Sequence, residues 1–159
     1  MPIQRNRARA TRRAVVASLL FALLAACAST KPARPQRTYD HIAEPSVLYS
    51  STEAVLKSAG YGIAKRDLNR LELQTSWKES DGEQRGPVRW RERRQYHAWF
   101  EVESLQERYD FFLELSVQER PPGATAWTDK KVVPEQDAEY VRILQEMDAT
   151  VKKIGGVRY

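Results

Sequence analysis

Two stretches of this chain alternate apolar and polar side chains at every second residue, and they constrain its fold more than anything else in it. In the first, Tyr96, Ala98, Phe100 and Val102 stand opposite Gln95, His97, Trp99 and Glu101. In the second, Tyr109, Phe111, Leu113, Leu115 and Val117 stand opposite Phe112, Glu114, Ser116 and Gln118. A period of two marks a strand with one buried face, and burial on one face belongs to an antiparallel sheet. The first run extends back as one long strand, about Val88 to Glu103. A shorter strand carries Leu71, Leu73, Thr75 and Trp77 on one side, with Glu72, Gln74, Ser76 and Lys78 on the other. Another short strand, Tyr61 to Lys65, reaches it through a turn at Asp67-Leu68-Asn69-Arg70, where Asp and Asn tolerate left-handed backbone. Ser80 to Pro87 reads as a polar loop, and Arg120 to Val133 as a loop around Pro121-Pro122-Gly123, with extended pairing near Thr125 to Thr128.

Helical periodicity brackets these strands. Ser50-Ser51-Thr52 ahead of Glu53 offers a cap, and Ala54, Val55, Leu56 and Ala59 form a face that stops at Gly60. Val47 to Tyr49 read as the lead-in. Near the other end, Tyr140, Leu144, Met147, Val151 and Ile154 step by four and three, with Ile143 beside them. Glu135, Asp137 and Glu139 at the start of this helix and Lys152 and Lys153 at its end suit the helix dipole, and Gly155-Gly156 ends it. The expected fold is α+β: about four antiparallel strands in one sheet with two helices packed on one face, in the order helix-strand-strand-strand-strand-helix. It occupies residues 46–159 as a single domain.

The N-terminus is of another kind. Arg5, Arg7, Arg9, Arg12 and Arg13 flank an apolar run from Ala14 to Ala26, broken only by Ser18, and residues 1–26 contain no acid. A core of this length suits an export signal of roughly 7–15 apolar residues and falls short of the roughly 20 that span a bilayer. The run ends in Leu24-Ala25-Ala26-Cys27, and Cys27 is the single cysteine of the 159 residues. This tetrad resembles the lipobox of bacterial lipoprotein precursors. The resemblance implies cleavage between Ala26 and Cys27, acylation of Cys27, and attachment to the membrane through several acyl chains, which anchor stably where one chain binds marginally. Ala28-Ser29 after the cysteine lacks the Asp that retains such proteins in the inner membrane. That resembles the outer-membrane pattern and implies a domain facing the periplasm. Thr11-Arg12-Arg13 also resembles the twin-arginine motif, so the export route stays open. Residues 27–45, with Pro32, Pro35 and Pro45 and no apolar periodicity, read as the lipidated cysteine and a disordered tether.

The charge balance follows from that division. The chain holds 26 Lys and Arg against 21 Asp and Glu. Without the five signal arginines the balance is 21 against 21, so the basic excess concerns targeting, and nucleic acid is not an expected partner. The helix, Gly60-Tyr61-Gly62-Ile63, the strand Leu71 to Trp77 and the Arg-rich strand after it are similar to BamC-type helix-grip domains of outer-membrane lipoproteins. That resemblance implies a non-enzymatic, protein-contacting module and carries no catalytic residue across.

No catalytic constellation is evident. The sequence lacks a phosphate-binding glycine loop and a serine elbow. His41 and His97 are too few for a zinc site, and Glu101, Glu103 and Glu114 are carboxylates without a recognisable cleft. No cofactor is expected. Two surface features remain. Arg85, Arg89, Arg91, Arg93 and Arg94, with only Glu92 among them, suit phosphate or carboxylate ligands such as lipopolysaccharide or peptidoglycan. The competing account pairs them with the acids of residues 101–119 across the sheet. Trp99 and Phe112 fall on the polar face of adjacent strands, where they would form a patch for another envelope protein or be covered by chain. Trp77 and Trp90 read as core or edge packing.

Overall fold

The computed structural model describes residues 34–40, 44–103 and 108–154. The export signal, Ala26, Cys27, His41 and the Gly155-Gly156 stop lie outside the described residues. Nine regular elements follow in chain order: β1 (Arg37–Asp40), α1 (Pro45–Ser58), β2 (Ile63–Asp67), β3 (Glu72–Thr75), β4 (Lys78–Arg85), β5 (Val88–Glu103), β6 (Arg108–Arg120), β7 (Thr128–Asp129) and α2 (Ala138–Lys153). The class is α+β as expected, but the antiparallel sheet has seven strands and not four.

The two strongly alternating runs form its centre. β5 and β6 pair without a register break from Arg91↔Arg120 to Glu103↔Arg108, which puts Tyr96 beside Leu115, Ala98 beside Leu113 and Phe100 beside Phe111. On the far edge of β5 lie β3 and β4, end to end, with β2 outside β3; on the far edge of β6 lie β1 and β7. One hydrophobic cluster joins the inward residues of β5 and β6 to Leu48, Tyr49, Val55 and Leu56 of α1 and to Tyr140, Ile143, Leu144, Met147 and Val151 of α2. Val102 shares this alternation but stays 49% exposed near the end of β5.

Three expectations change. The domain begins ahead of residue 46, because β1 and Pro45 belong to it: Tyr39 is fully buried, and Gln36 receives the Leu113 amide on its side-chain oxygen at 2.6 Å. α1 begins at Pro45, whose ring suits the first helical position, so Ser50 and Thr52 lie inside the helix and bond back to Ser46 and Leu48 carbonyls. The supposed loop from Ser80 is strand β4, joined to β5 by Gly86-Pro87 with Arg85 opposite Val88; Gly86 takes φ +61°, the positive value that two-residue hairpin turns require. β4 is polar on both faces, so it carries no alternation to read.

The stop of α1 matches expectation. Gly60 adopts φ +85°, and the Gly60 and Tyr61 amides bond back to Lys57 and Leu56. Asp137 caps α2 by accepting the Tyr140 amide at 2.9 Å.

Two buried tyrosines give a local test of the core. The Tyr140 hydroxyl donates to the Leu113 carbonyl at 3.0 Å, whereas the Tyr49 hydroxyl is buried with no hydrogen-bond partner. Tyr49→Phe removes a polar group that gains nothing, and we expect it to leave stability unchanged or raise it by up to about 1 kcal/mol. Tyr140→Phe strands a buried carbonyl and should cost about 1–2 kcal/mol. Urea unfolding of the two variants side by side checks the contrast.

Candidate functional site

The arginine strand is where sequence and structure are most informative together. Because β5 keeps one register against β6, Arg91 and Arg93 stand on the same face as His97 and Trp99, and Arg94 stands on the face of Tyr96. The acids of residues 101–119 are not the main partners of these arginines. Among the described residues of that segment only Glu119 reaches one of them, receiving Arg85 bidentately at 2.8 and 3.2 Å, while the Arg85 guanidinium lies 4.2 Å from the Trp90 ring. Arg89 approaches Asp81 at 3.8 Å, and Arg91 approaches Asp81 at 3.2 Å and Glu79 at 3.6 Å. These acids sit on β4, the strand that sequence alone leaves as loop. Across the other edge, Arg91 faces Arg120, a like charge.

Arg94 turns inward and is structural. It donates to Glu92 at 2.7 Å and to Asp137 at 2.8 Å, and stands 3.5 Å from Glu139. Lys130 holds the other oxygen of Glu92 at 2.7 Å. Lys78 donates to the Ala59 carbonyl at 2.7 Å and to Glu139 at 3.3 Å, and Tyr61 donates to Glu139 at 2.7 Å. The start of α2, the end of α1, the strands β4 and β5, and Lys130 just after β7 therefore share one half-buried ion cluster.

Arg93 is different. Its Nε and Nη2 donate to the Gln118 side-chain oxygen at 2.8 and 2.5 Å, and its guanidinium lies 4.5 Å from the Trp77 ring and 4.6 Å from the Trp127 ring. Trp127 also meets Arg120 at 4.5 Å. The result is a run of Trp77, Arg93, Trp127 and Arg120 in successive cation–π contact, a geometry that fixes guanidinium planes. Among the described residues, neither Arg93 nor Arg120 has a carboxylate within ion-pair distance, although Arg85, Arg89, Arg91 and Arg94 each do.

The position of Trp77 reverses the sequence reading. Gln74 stands opposite His97 and Lys78 opposite Arg94, so the chain uses four steps where β5 uses three. That extra residue flips the faces. Lys78 goes to the core side, where it lies 4.5 Å from the Tyr61 ring, and Trp77 goes to the side of Arg93. Trp127 and Arg120 were not singled out by sequence at all. The available signal was an aromatic residue in a wholly polar stretch, Thr125 to Lys130.

Trp99 and Phe112 fall where expected, directly opposite one another and outside the main core cluster. They do not form an open patch. Their rings stack at 5.0 Å with 3° between planes, His97 lies against Trp99 at 4.9 Å, and each of the two is only 7% exposed. Trp99 Nε1 donates to Glu101 at 3.2 Å. His97 bridges Glu72 at 3.0 Å and Glu114 at 3.7 Å. Among the described residues, no group of three His, Cys, Asp or Glu side chains is placed to hold a metal ion, and no helix is long and apolar enough to cross a membrane.

No protein-family model and no curated protein matches this chain.

Proposed function

We propose that this chain is a lipid-anchored protein of the bacterial cell envelope, acylated on Cys27 after cleavage behind Ala26, whose α+β domain acts by binding and not by catalysis. The observation that carries this reading is Leu24-Ala25-Ala26-Cys27 at the exit of an apolar run flanked only by arginines. The resemblance of Ala28-Ser29 to the outer-membrane pattern sets the domain in the periplasm, tethered to that membrane. The domain is an accessory or scaffold that contacts another envelope protein. We take both helices to cover the sheet face of Tyr96 and Leu115, which leaves the face of Arg91, Arg93 and Gln118 for partners. The closed stacking of Trp99 on Phe112 moves the emphasis on that face away from the aromatic pair.

A second reading, a binder of anionic envelope material, is favoured by one observation: Arg93 and Arg120 have no acidic partner among the described residues. Metabolic labelling with a radioactive fatty acid tests the anchor. The wild-type chain should incorporate label and sediment with membranes, and Cys27→Ser should lose both. Label or membrane association unchanged in Cys27→Ser would sink the lipoprotein assignment.

A further inference from the structure

We propose that the Trp77–Arg93–Trp127–Arg120 run is a binding site for a phosphate monoester, with Arg93 and Arg120 as the residues that hold the dianion. This deepens the second reading above and does not rest on acylation of Cys27. Two observations carry it. First, these two arginines lack carboxylate partners among the described residues, while acids on the flanking strands are engaged elsewhere: Glu79, opposite Arg93, leans to Arg91 at 3.6 Å, and Asp129 accepts the Gln118 amide at 2.8 Å. Second, the indoles of Trp77 and Trp127 lie against the guanidinium groups. A guanidinium held by its face keeps its N–H donors at its edge, in the plane. Arg93 spends two donors on Gln118 and retains Nη1; Arg120 makes no side-chain hydrogen bond among the described residues.

The two side chains come from adjacent strands two residues off register, since Arg91 faces Arg120 and Arg93 faces Gln118. Diagonal neighbours across a sheet are within reach of long side chains, so both forks can meet one tetrahedral anion. Two uncompensated cations match a double negative charge better than the single charge of a diester or carboxylate. The half-exposed indoles add surfaces suited to the headgroup level of a membrane. A phosphorylated lipid headgroup and a soluble phosphate ester share this chemistry, and the experiment separates them.

The full chain is made by cell-free synthesis, which leaves Cys27 without acyl groups, and floated with phosphatidylcholine vesicles with or without phosphatidic acid. The arginines of residues 1–26 also attract anionic surfaces, so variants are compared within the one chain. Arg93→Gln and Arg120→Gln should each weaken binding to the phosphatidic acid vesicles about tenfold, the effect of one charge-assisted hydrogen bond, and Arg89→Gln should not. Arg120→Gln is the safer variant, because Arg120 supports no other described side chain by hydrogen bonding. Titration with inorganic phosphate, followed by tryptophan fluorescence, identifies the source. A change abolished by Arg120→Gln supports a soluble phosphate ligand, and flotation without such a change supports the headgroup. Binding unchanged in the Arg93→Gln, Arg120→Gln double variant overturns the proposal. So does tighter binding of a poly-glutamate peptide than of phosphatidic acid, which would assign the site to a protein partner. Loss of labelling at Cys27, or its persistence in Cys27→Ser, bears on the anchor alone.

Discussion

Arg94→Met will destabilise the domain by about 2–4 kcal/mol, because it removes one of three cations from a cluster that holds three carboxylates. Arg94, Lys78 and Lys130 balance Glu92, Asp137 and Glu139 through direct contacts of 2.7–3.5 Å. Methionine keeps the packing length, so the loss reports the charge. Glu92 is only 7% exposed and cannot recover its hydration. Asp137 loses a partner while still capping α2. Arg94→Lys should recover less than half, since one ammonium cannot serve carboxylates on two elements as the planar fork does. Urea unfolding with an unchanged slope measures the difference.

Glu92 in this cluster and Glu53 outside it set a pH dependence with a definite sign. Burial pushes the Glu92 carboxyl up, but hydrogen bonds from Lys130 and Arg94 outweigh it and hold it below the ordinary carboxylate range. Glu53, bonded by Arg66 and Lys57, is lowered to about 2. Groups with a lowered native pKa contribute stability that is present above the unfolded value of about 4.3 and is lost as pH falls through the native one. Stability should therefore decline on acidification below about pH 4.3. In Arg94→Met the Glu92 contribution should fade at a higher pH than in the wild type. Chemical unfolding as a function of pH checks both; a decline that begins at lower pH in the variant would contradict the assignment.

Tyr39→Ala should cost about 3–5 kcal/mol, the range for removing a large buried aromatic side chain. Tyr39 is fully buried, packs 6.4 Å from the Phe111 ring, and donates to Asp148 of α2 at 2.9 Å. Arg37 pairs with the same carboxylate at 3.0 Å. β1 thus binds the edge of β6 to the last helix through one acid. A chain begun at residue 46, where the domain starts by sequence pattern, should lose this element and unfold at lower denaturant than one begun at residue 34. Tyr39→Phe, which keeps the ring, should lose only about 1–2 kcal/mol. If Tyr39→Ala unfolds like the wild type, β1 is not part of the folded unit.

Much of the fold was legible because one rule applied to it. Val88 to Glu103 is a strand to the residue, and β6 carries Tyr109, Phe111, Leu113, Leu115 and Val117 inward as their spacing requires. α2 carries the charges expected of its two ends, Glu139 in the first turn and Lys152 and Lys153 in the last, and Asp137 before it also serves as the cap. β1 and β4 were not legible for a physical reason. Arg37-Thr38-Tyr39-Asp40 is four residues among prolines, and its burial comes from β6 and α2, both far along the chain. β4 is polar on both faces and has no apolar period. The turn before β3 was placed correctly, with Asp67 accepting the Asn69 and Arg70 amides, yet the left-handed residue is Leu71 at φ 51°.

The candidate site divides in the same way. The sequence by itself determined that Arg89, Arg91 and Arg93 share one face of a long strand and Arg94 takes the other, because a strand's side-chain period is two. It also puts the single cysteine, Cys27, directly after an apolar run that five arginines precede. Only the tertiary structure decided which arginines are neutralised. That depends on β4 bringing Asp81 and Glu79 to Arg89 and Arg91, on α2 bringing Asp137 to Arg94, and on one extra residue between β3 and β4 turning Trp77 towards Arg93. Charge pairing is a matter of distances across strands, and a linear pattern carries no distances between them.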